Sequence, residues 1–240
     1  MGTHPILGYC RRRRPSFLRV AWLLSATLLW LYAPAGISNA NAAAFVQVSG
    51  AAPQTNQSQV SVTYTNAQVA GDANIVAISW KDATSNITSV IDSVGNTYQL
   101  AVPTARGTGL SQAIYYANNI NAAAAGANTV TVTFNAAAPL IRIRATEYSG
   151  LDPANPLDVG GSAMGTSATP NSGSVTTTVA QELVFGAGRT LGTFTAAGTN
   201  FTSRITPTSE MVEDMFVTAT GSYSATTQLS GSPPPVPAPA

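Results

Sequence analysis

The sequence predicts an all-β chain: an antiparallel β-sandwich of jelly-roll or immunoglobulin-like type, preceded by a signal-peptide helix. Three observations carry this. Runs of Val, Ile, Thr and Tyr alternate with polar residues at period two, and Gly, Pro, Asn and Ser punctuate them at short intervals. The alanine-rich stretches at 121–128 and 135–139 are too short to nucleate a helix and read as loops or short helical turns. The chain divides into a signal peptide or amino-terminal membrane anchor at 1–42, a β-sandwich domain at 43–230, and a proline-rich disordered tail at 231–240.

The elements follow in order. Basic residues at 11–19 precede an apolar core at 20–33, and small residues then suit cleavage after Ala40 or Ala42. That core is short for a spanning helix, so no stable membrane span is expected in the mature chain. The expected location is outside the cytoplasm: extracellular, periplasmic or at the cell surface. "FVQVSG" from Phe45, "QVSVTYTN" at 59–66 and "NIVAISW" up to Trp80 open the strand series. "ITSVID", "TYQLAV", "LSQAIYYANN", "NTVTVTF" and "LIRIRATEY" continue it. "SGSVTTTV", "ELVFGAGR", "FTSRITP", "MVEDMFV" and "GSYSATTQL" complete it, which gives 12 to 14 strands. The closing "GSPPPVPAPA" has five prolines in ten residues and favours extended polyproline geometry.

The formal charge of +1 belongs to the full chain. Without residues 1–42, six Lys/Arg face ten Asp/Glu, about −4 net, and no basic stripe remains to follow phosphates. Nucleic acid is therefore not an expected partner. The same cut removes His4 and Cys10, the only histidine and cysteine. Ser-His-Asp and Cys-His nucleophile systems and Cys/His zinc sites are thereby excluded from the mature chain. The residues imply no cofactor other than calcium at acidic loops.

The densest charges lie in "IRIRATEYSGLDPANPLD", 141–158. Alternation puts Ile141, Ile143 and Ala145 on one face and Arg142 and Arg144 on the solvent or ligand side. Carried further, it turns Glu147 inward and Tyr148 outward. A buried unpaired glutamate is costly, so either a bulge shifts the register or Glu147 is paired or neutral. That makes Glu147 the candidate catalytic carboxylate, with Glu182, Glu213 and Asp214 as potential partners; Glu213 and Asp214 point to opposite faces. "SGLDPANPLD" reads as a proline-stiffened loop pinned by Leu151 and Leu157. "DSVGNTY", 92–98, reads as a turn with Asp92 accepting backbone N–H groups and Gly95 at positive φ. Asp92, Asn96, Asp152 and Asp158 supply the hard oxygens that calcium takes, although the spacing is not that of a twelve-residue calcium loop. Tyr98, Tyr116, Arg142, Arg144 and Tyr148 are the candidate ligand-binding side chains, as a stacking or hydrogen-bonding surface; the alternative is that the aromatics fill the core.

Set in order, "SVIDSVGNTYQLA", "QAIYYANNI", "NTVTVTF", "RATEYSGLDPANPLD" and "ATGSYSATTQLS" resemble a group of uncharacterised secreted bacterial β-sandwich modules over residues 45–230. The resemblance implies a compact non-catalytic module and transfers no catalytic or metal residue. It also exposes a departure. Similar modules continue into a final hydrophobic strand where this chain turns to proline. That strand is then either missing, leaving an open edge, or replaced when residues 45–49 and their neighbours close the sheet differently. The expected role is structural, adhesive or weakly glycan-binding, with a glycan or surface protein as partner. The competing readings are a carboxylate-based carbohydrate-active enzyme and a calcium-supported adhesion module. The oligomeric state is open.

Overall fold

The computed structural model describes residues 4–10 and 43–230, and among these it holds seventeen strands and no helix. In chain order they begin β1 (His4–Cys10), β2 (Ala44–Ala51), β3 (Gln57–Thr63), β4 (Ala73–Trp80), β5 (Ile87–Asp92) and β6 (Gln99–Gly107). β7 (Leu110–Ala117), β8 (Thr129–Ala138), β9 (Arg142–Ser149), β10 (Leu157–Ser162), β11 (Val175–Thr176) and β12 (Glu182–Arg189) follow. The series closes with β13 (Phe194–Ala197), β14 (Thr202–Ser203), β15 (Glu210–Val217), β16 (Ser222–Tyr223) and β17 (Thr227–Leu229).

All strand pairs are antiparallel, and the sheets stack in layers. An outer sheet runs β3-β8-β5, a middle sheet β2-β9-β4-β7-β6, and a third β10-β1-β12-β15-β14. Two short pairs, β11-β16 and β13-β17, lie beyond the third sheet. β3 and β8 keep the period-two pattern because only one of their faces is covered. Val60, Val132 and Val90 align across the outer sheet, beside the Val62–Val130 pair, and pack on Val76, Ile78, Trp80, Ile143 and Ala145 of the middle sheet. The opposite face of the middle sheet brings Ile75, Ile114 and Tyr148 against Leu183, Phe185 and Val212. Every residue of β4 and of β12 is buried, as strands covered on both faces require. Each fully buried Val, Ile, Leu or Phe contributes about 1.5–3 kcal/mol of transfer free energy.

Several expectations change. Asn135 to Ala138 continue β8 as strand, tied at its ends by the Asn135 N–H to the Asn86 carbonyl and by the pairing of Ala138 with Gln57; alanine's helix propensity is too weak over four residues to compete. The loop reading of 149–158 holds from Gly150 to Pro156, but Ser149 still belongs to β9 and Leu157 starts β10. Leu151 is buried and Leu157 packs against the same core, as pinning requires.

Two further findings concern the ends. β2 occupies an edge of the middle sheet and does not close the third one, so residues 45–49 are not the substitute strand. The strand inside the third sheet is β1, from the segment set apart as a leader: His4–Cys10 pairs with β12 on one side and β10 on the other. The rest of that segment, 11–42, with the expected signal helix, lies outside the described residues, as does the tail at 231–240. Among the described residues no helix is long and apolar enough to cross a membrane.

Candidate functional site

β9 is where the charged stretch can be judged. Ile143 and Ala145 face the outer sheet as alternation requires. Arg142 and Arg144 do take the other face, but that face is only partly open to solvent, because the third sheet lies over it. Arg144 Nη2 donates to Glu210 Oε1 of β15 at 2.5 Å, and Arg142 Nε lies 3.8 Å from the same oxygen. The expected ligand-side arginines are therefore ties between two layers. Arg144 reaches across because its cross-strand partner is Gly50, where an added Cβ would meet Nη1 at 1.7 Å. A third guanidinium, Arg189 on β12, is buried beside them and donates to the backbone and hydroxyl of Ser209.

Glu147 is fully enclosed. The register break that its burial calls for exists, but on the neighbouring strand. β9 pairs with β4 without a shift, whereas β2 bulges between Phe45 and Gln47. Gln47 thereby lies opposite Glu147 and donates from Nε2 to Oε2 at 2.6 Å. The Val69 backbone N–H reaches the other carboxylate oxygen at 3.4 Å. The third partner is Asp72, hydrogen-bonded to Glu147. Burial, then the charge and hydrogen bond of Glu147, push the Asp72 carboxyl up to about 7. Two acids thus face each other inside the molecule, with amides rather than a cation around them.

A second buried polar network adjoins this pair at Asn74, the cross-strand neighbour of Glu147. Gln68 Nε2 donates to Asn74 Oδ1 at 2.8 Å, and Asn128 Nδ2 donates to Gln68 Oε1 at 2.6 Å. Asn128 and Tyr98 both donate to Asp92 Oδ2, at 3.0 and 3.1 Å. Tyr64 OH donates to the Thr146 carbonyl at 3.3 Å, and burial holds the phenol of Tyr64 well above its usual range. A glycosidase pair stands about 5 to 9.5 Å apart across a cleft that admits sugar and water. Glu147 meets neither condition: its neighbouring carboxyl is in hydrogen-bond contact and solvent does not reach it.

Tyr148 also departs from expectation. It takes the face opposite Glu147 but is just as fully buried, because β12 packs over it. Its hydroxyl donates to Asp214 Oδ2 at 2.6 Å, and Arg204 clamps Asp214 through Nε at 2.6 Å and Nη2 at 2.7 Å. The same guanidinium sits 4.2 Å from the ring centroid of Phe45. The hydrogen bonds with Asp214 hold Arg204 above its usual range. Glu213 points to the other side of β15, as alternation requires, and accepts from the Gly198 N–H at 2.8 Å; burial pushes its carboxyl up to about 7.

The acidic loops are internally bonded. Asp92 accepts from the backbone and side chain of Asn96 at 2.9 and 2.8 Å, with Gly95 at φ 80°. Asp152 accepts from the N–H groups of Ala154 and Asn155, and Asp158 from the backbone and hydroxyl of Thr178. Among the described residues no three His, Cys, Asp or Glu side chains gather as a cation site. The aromatic candidates do not form one platform. Trp80 and Tyr148 lie in different cores, Tyr116 is buried with its hydroxyl donating to Gln99, and Tyr98 is half-buried in the Asp92 network.

The structure brings together a surface that the candidate residues do not include. On the open face of β3-β8-β5, cross-strand register aligns Gln59, Thr133 and Ser89, then Ser61, Thr131 and Ile91. Thr63 and Thr129 begin a third row. Ser61 and Thr131 hydroxyls lie 2.8 Å apart, as do those of Thr63 and Thr129. The signal was present in "QVSVT" and "TVTVT", whose polar positions fall in register. No family model matches the chain, and neither a curated protein nor a solved structure is significantly similar to it.

Proposed function

We infer that this chain is a non-catalytic, exported or cell-surface β-sandwich module of jelly-roll or immunoglobulin-like type. In this reading it recognises a glycan or a surface protein weakly through the open face of β3-β8-β5. The hydroxyl grid on that face is the observation that carries the reading. It is rich in groups that both donate and accept, and the Val60, Val132 and Val90 layer backs it. Sugar hydroxyls present the same mixed chemistry. The apolar Ile91, 56 % exposed in the grid, adds a contact for a sugar ring face. The export pattern and the resemblance to secreted modules support the same reading. So does the consumption of the Glu147 and Asp214 carboxylates in internal hydrogen bonds.

A glycan array with whole-cell and matrix binding tests it, comparing the wild type with a Ser61→Lys/Thr131→Lys variant of this face. Recognition predicts binding that the variant loses while its melting curve stays unchanged. Binding that survives both substitutions would place recognition elsewhere, and a folded wild type that binds nothing above the blank would leave only a structural role.

A further inference from the structure

The third sheet contains a seven-residue slot between β10 and β12, and its present occupant is β1. β12 is continuously paired with β15 from Glu182 to Arg189 and turns its other edge to the slot. β10 stands across the gap, and β1 is its only sheet partner among the described residues. With the slot empty, the backbone groups of both lining edges lose their partners, and the part of the middle sheet beneath it, at β6 and β7, loses its cover. The fold therefore demands a strand here, antiparallel to both neighbours.

The backbone pairing makes β1 an imperfect fit. Pro5, opposite Gly188 and one residue short of the pairing with β10, has no N–H to donate. The ladder to β10 breaks register between Gly8 and Cys10. β1 is also joined to the rest of the described chain only through residues 11–42. That connection carries the basic and apolar export pattern and the cleavage positions after Ala40 and Ala42. A cut there leaves His4–Cys10 held by non-covalent contacts alone.

We propose that the slot between β10 and β12 is a strand-acceptor site. His4–Cys10 fills it in the uncut chain, and once the leader is cut an extended segment of a separate polypeptide takes its place. The recognition is β-augmentation on both sides, in which main-chain hydrogen bonds give affinity and side-chain positions give selectivity. The lining defines the partner strand. The central register position, held by Leu7, has glycine on either side, Gly161 and Gly186, and Val175, Ala225 and Glu213 already crowd the face that these glycines leave bare. The next positions toward the carboxyl end face Phe185, Val184 and Leu183, so the partner is apolar through its second half. A cut second copy lacks residues 4–10, and its 231–240 segment has five prolines, which removes the donors a central strand needs. A heterologous strand is therefore the committed occupant.

The proposal takes the timing of the cut from the export reading, but the test is independent of it. A specific protease site is placed between Ala40 and Asn41 of the full chain, which is folded, cut, and offered a fluorescent peptide copying His4–Cys10. The cut chain is expected to take up one peptide per molecule, unlabelled peptide to compete, and the uncut chain to take up none. A Leu7→Pro peptide, which loses the central donor, should bind about tenfold more weakly or worse. If the cut chain sheds its own fragment, keeps its melting temperature and takes up no peptide, the slot needs no strand and the proposal falls. It falls equally if cut chains dimerise and exclude the peptide, or if Leu7→Pro binds as well as the parent. A chain that cells never cut, but that accepts the peptide once cut in vitro, would refute the export reading and leave the acceptor standing.

Discussion

Glu147, on β9, and Asp214, reached by the next residue Tyr148, are buried carboxylates on opposite sides of one strand, and they are partnered in different ways. Asp214 meets a cation: Arg204 grips both of its oxygens and Tyr148 adds a hydroxyl. Glu147 meets no cation. Its partners are the Gln47 amide, the Val69 N–H and a second acid, Asp72, whose carboxyl is pushed up to about 7. The first arrangement pairs a carboxylate with a cation, and the second sets two acids against each other, so that Asp72 holds its proton more tightly than usual. Breaking the first should therefore hurt at neutral pH, whereas the second should make stability depend on pH across the range where Asp72 titrates.

The largest effect is expected at the cation. Arg204→Met strands Asp214 in the core and should cost about 3–5 kcal/mol, read by urea unfolding at pH 7. A loss below about 1 kcal/mol would mean that solvent already screens the pair. Asp72→Asn comes next, with the opposite sign. The folded carboxyl titrates near 7 against an ordinary value of 3.8, so the folded state binds the proton more tightly. Both states are protonated below the ordinary value. As pH rises from about 4 to about 7 the unfolded chain releases its proton first, and stability falls across that window. Asp72→Asn removes this loss. It should stabilise the protein by about 1–3 kcal/mol at pH 8, with little effect at pH 3.5. Glu213, raised to about 7 by burial, adds a slope of the same sign that this variant leaves in place.

Smaller effects sharpen the contrast between interior and surface. Gly50→Ala drives a methyl into Arg144 and should weaken its tie to Glu210, costing about 1 kcal/mol by thermal denaturation. Thr131→Lys changes only the open hydroxyl face and should shift stability by less than about 0.5 kcal/mol, while abolishing binding if that face is the recognition surface.

Much of this was legible in the sequence, and the limits have a common cause. The alternation in "IRIRA" placed Ile143 and Ala145 on a core face, and the cost of a lone buried glutamate made Glu147 the residue to watch. What period two cannot reveal is a second covering layer. It assigns faces, not what packs on them, so Arg142, Arg144 and Tyr148 read as outward although β12 and β15 lie over them. The partners of Glu147 were also hidden: Gln47 arrives through a bulge on another strand, and Asp72 from the "GDAN" turn. The turn at 92–98 was readable because its chemistry is local, with Asp92 bonding four residues ahead. β1 was not, since a leader-like segment carries no sign that a sheet has a vacancy for it.

The central claim is that the charged stretch around β9 is closed internal bonding and not an open active centre. The ¹³C-carboxyl titration of Asp72 in the folded protein tests it most directly. A midpoint near 7, unchanged by added oligosaccharide, is the predicted result. A midpoint near 4, the value of a solvated aspartate, would show that water reaches the Asp72–Glu147 pair and would contradict the account.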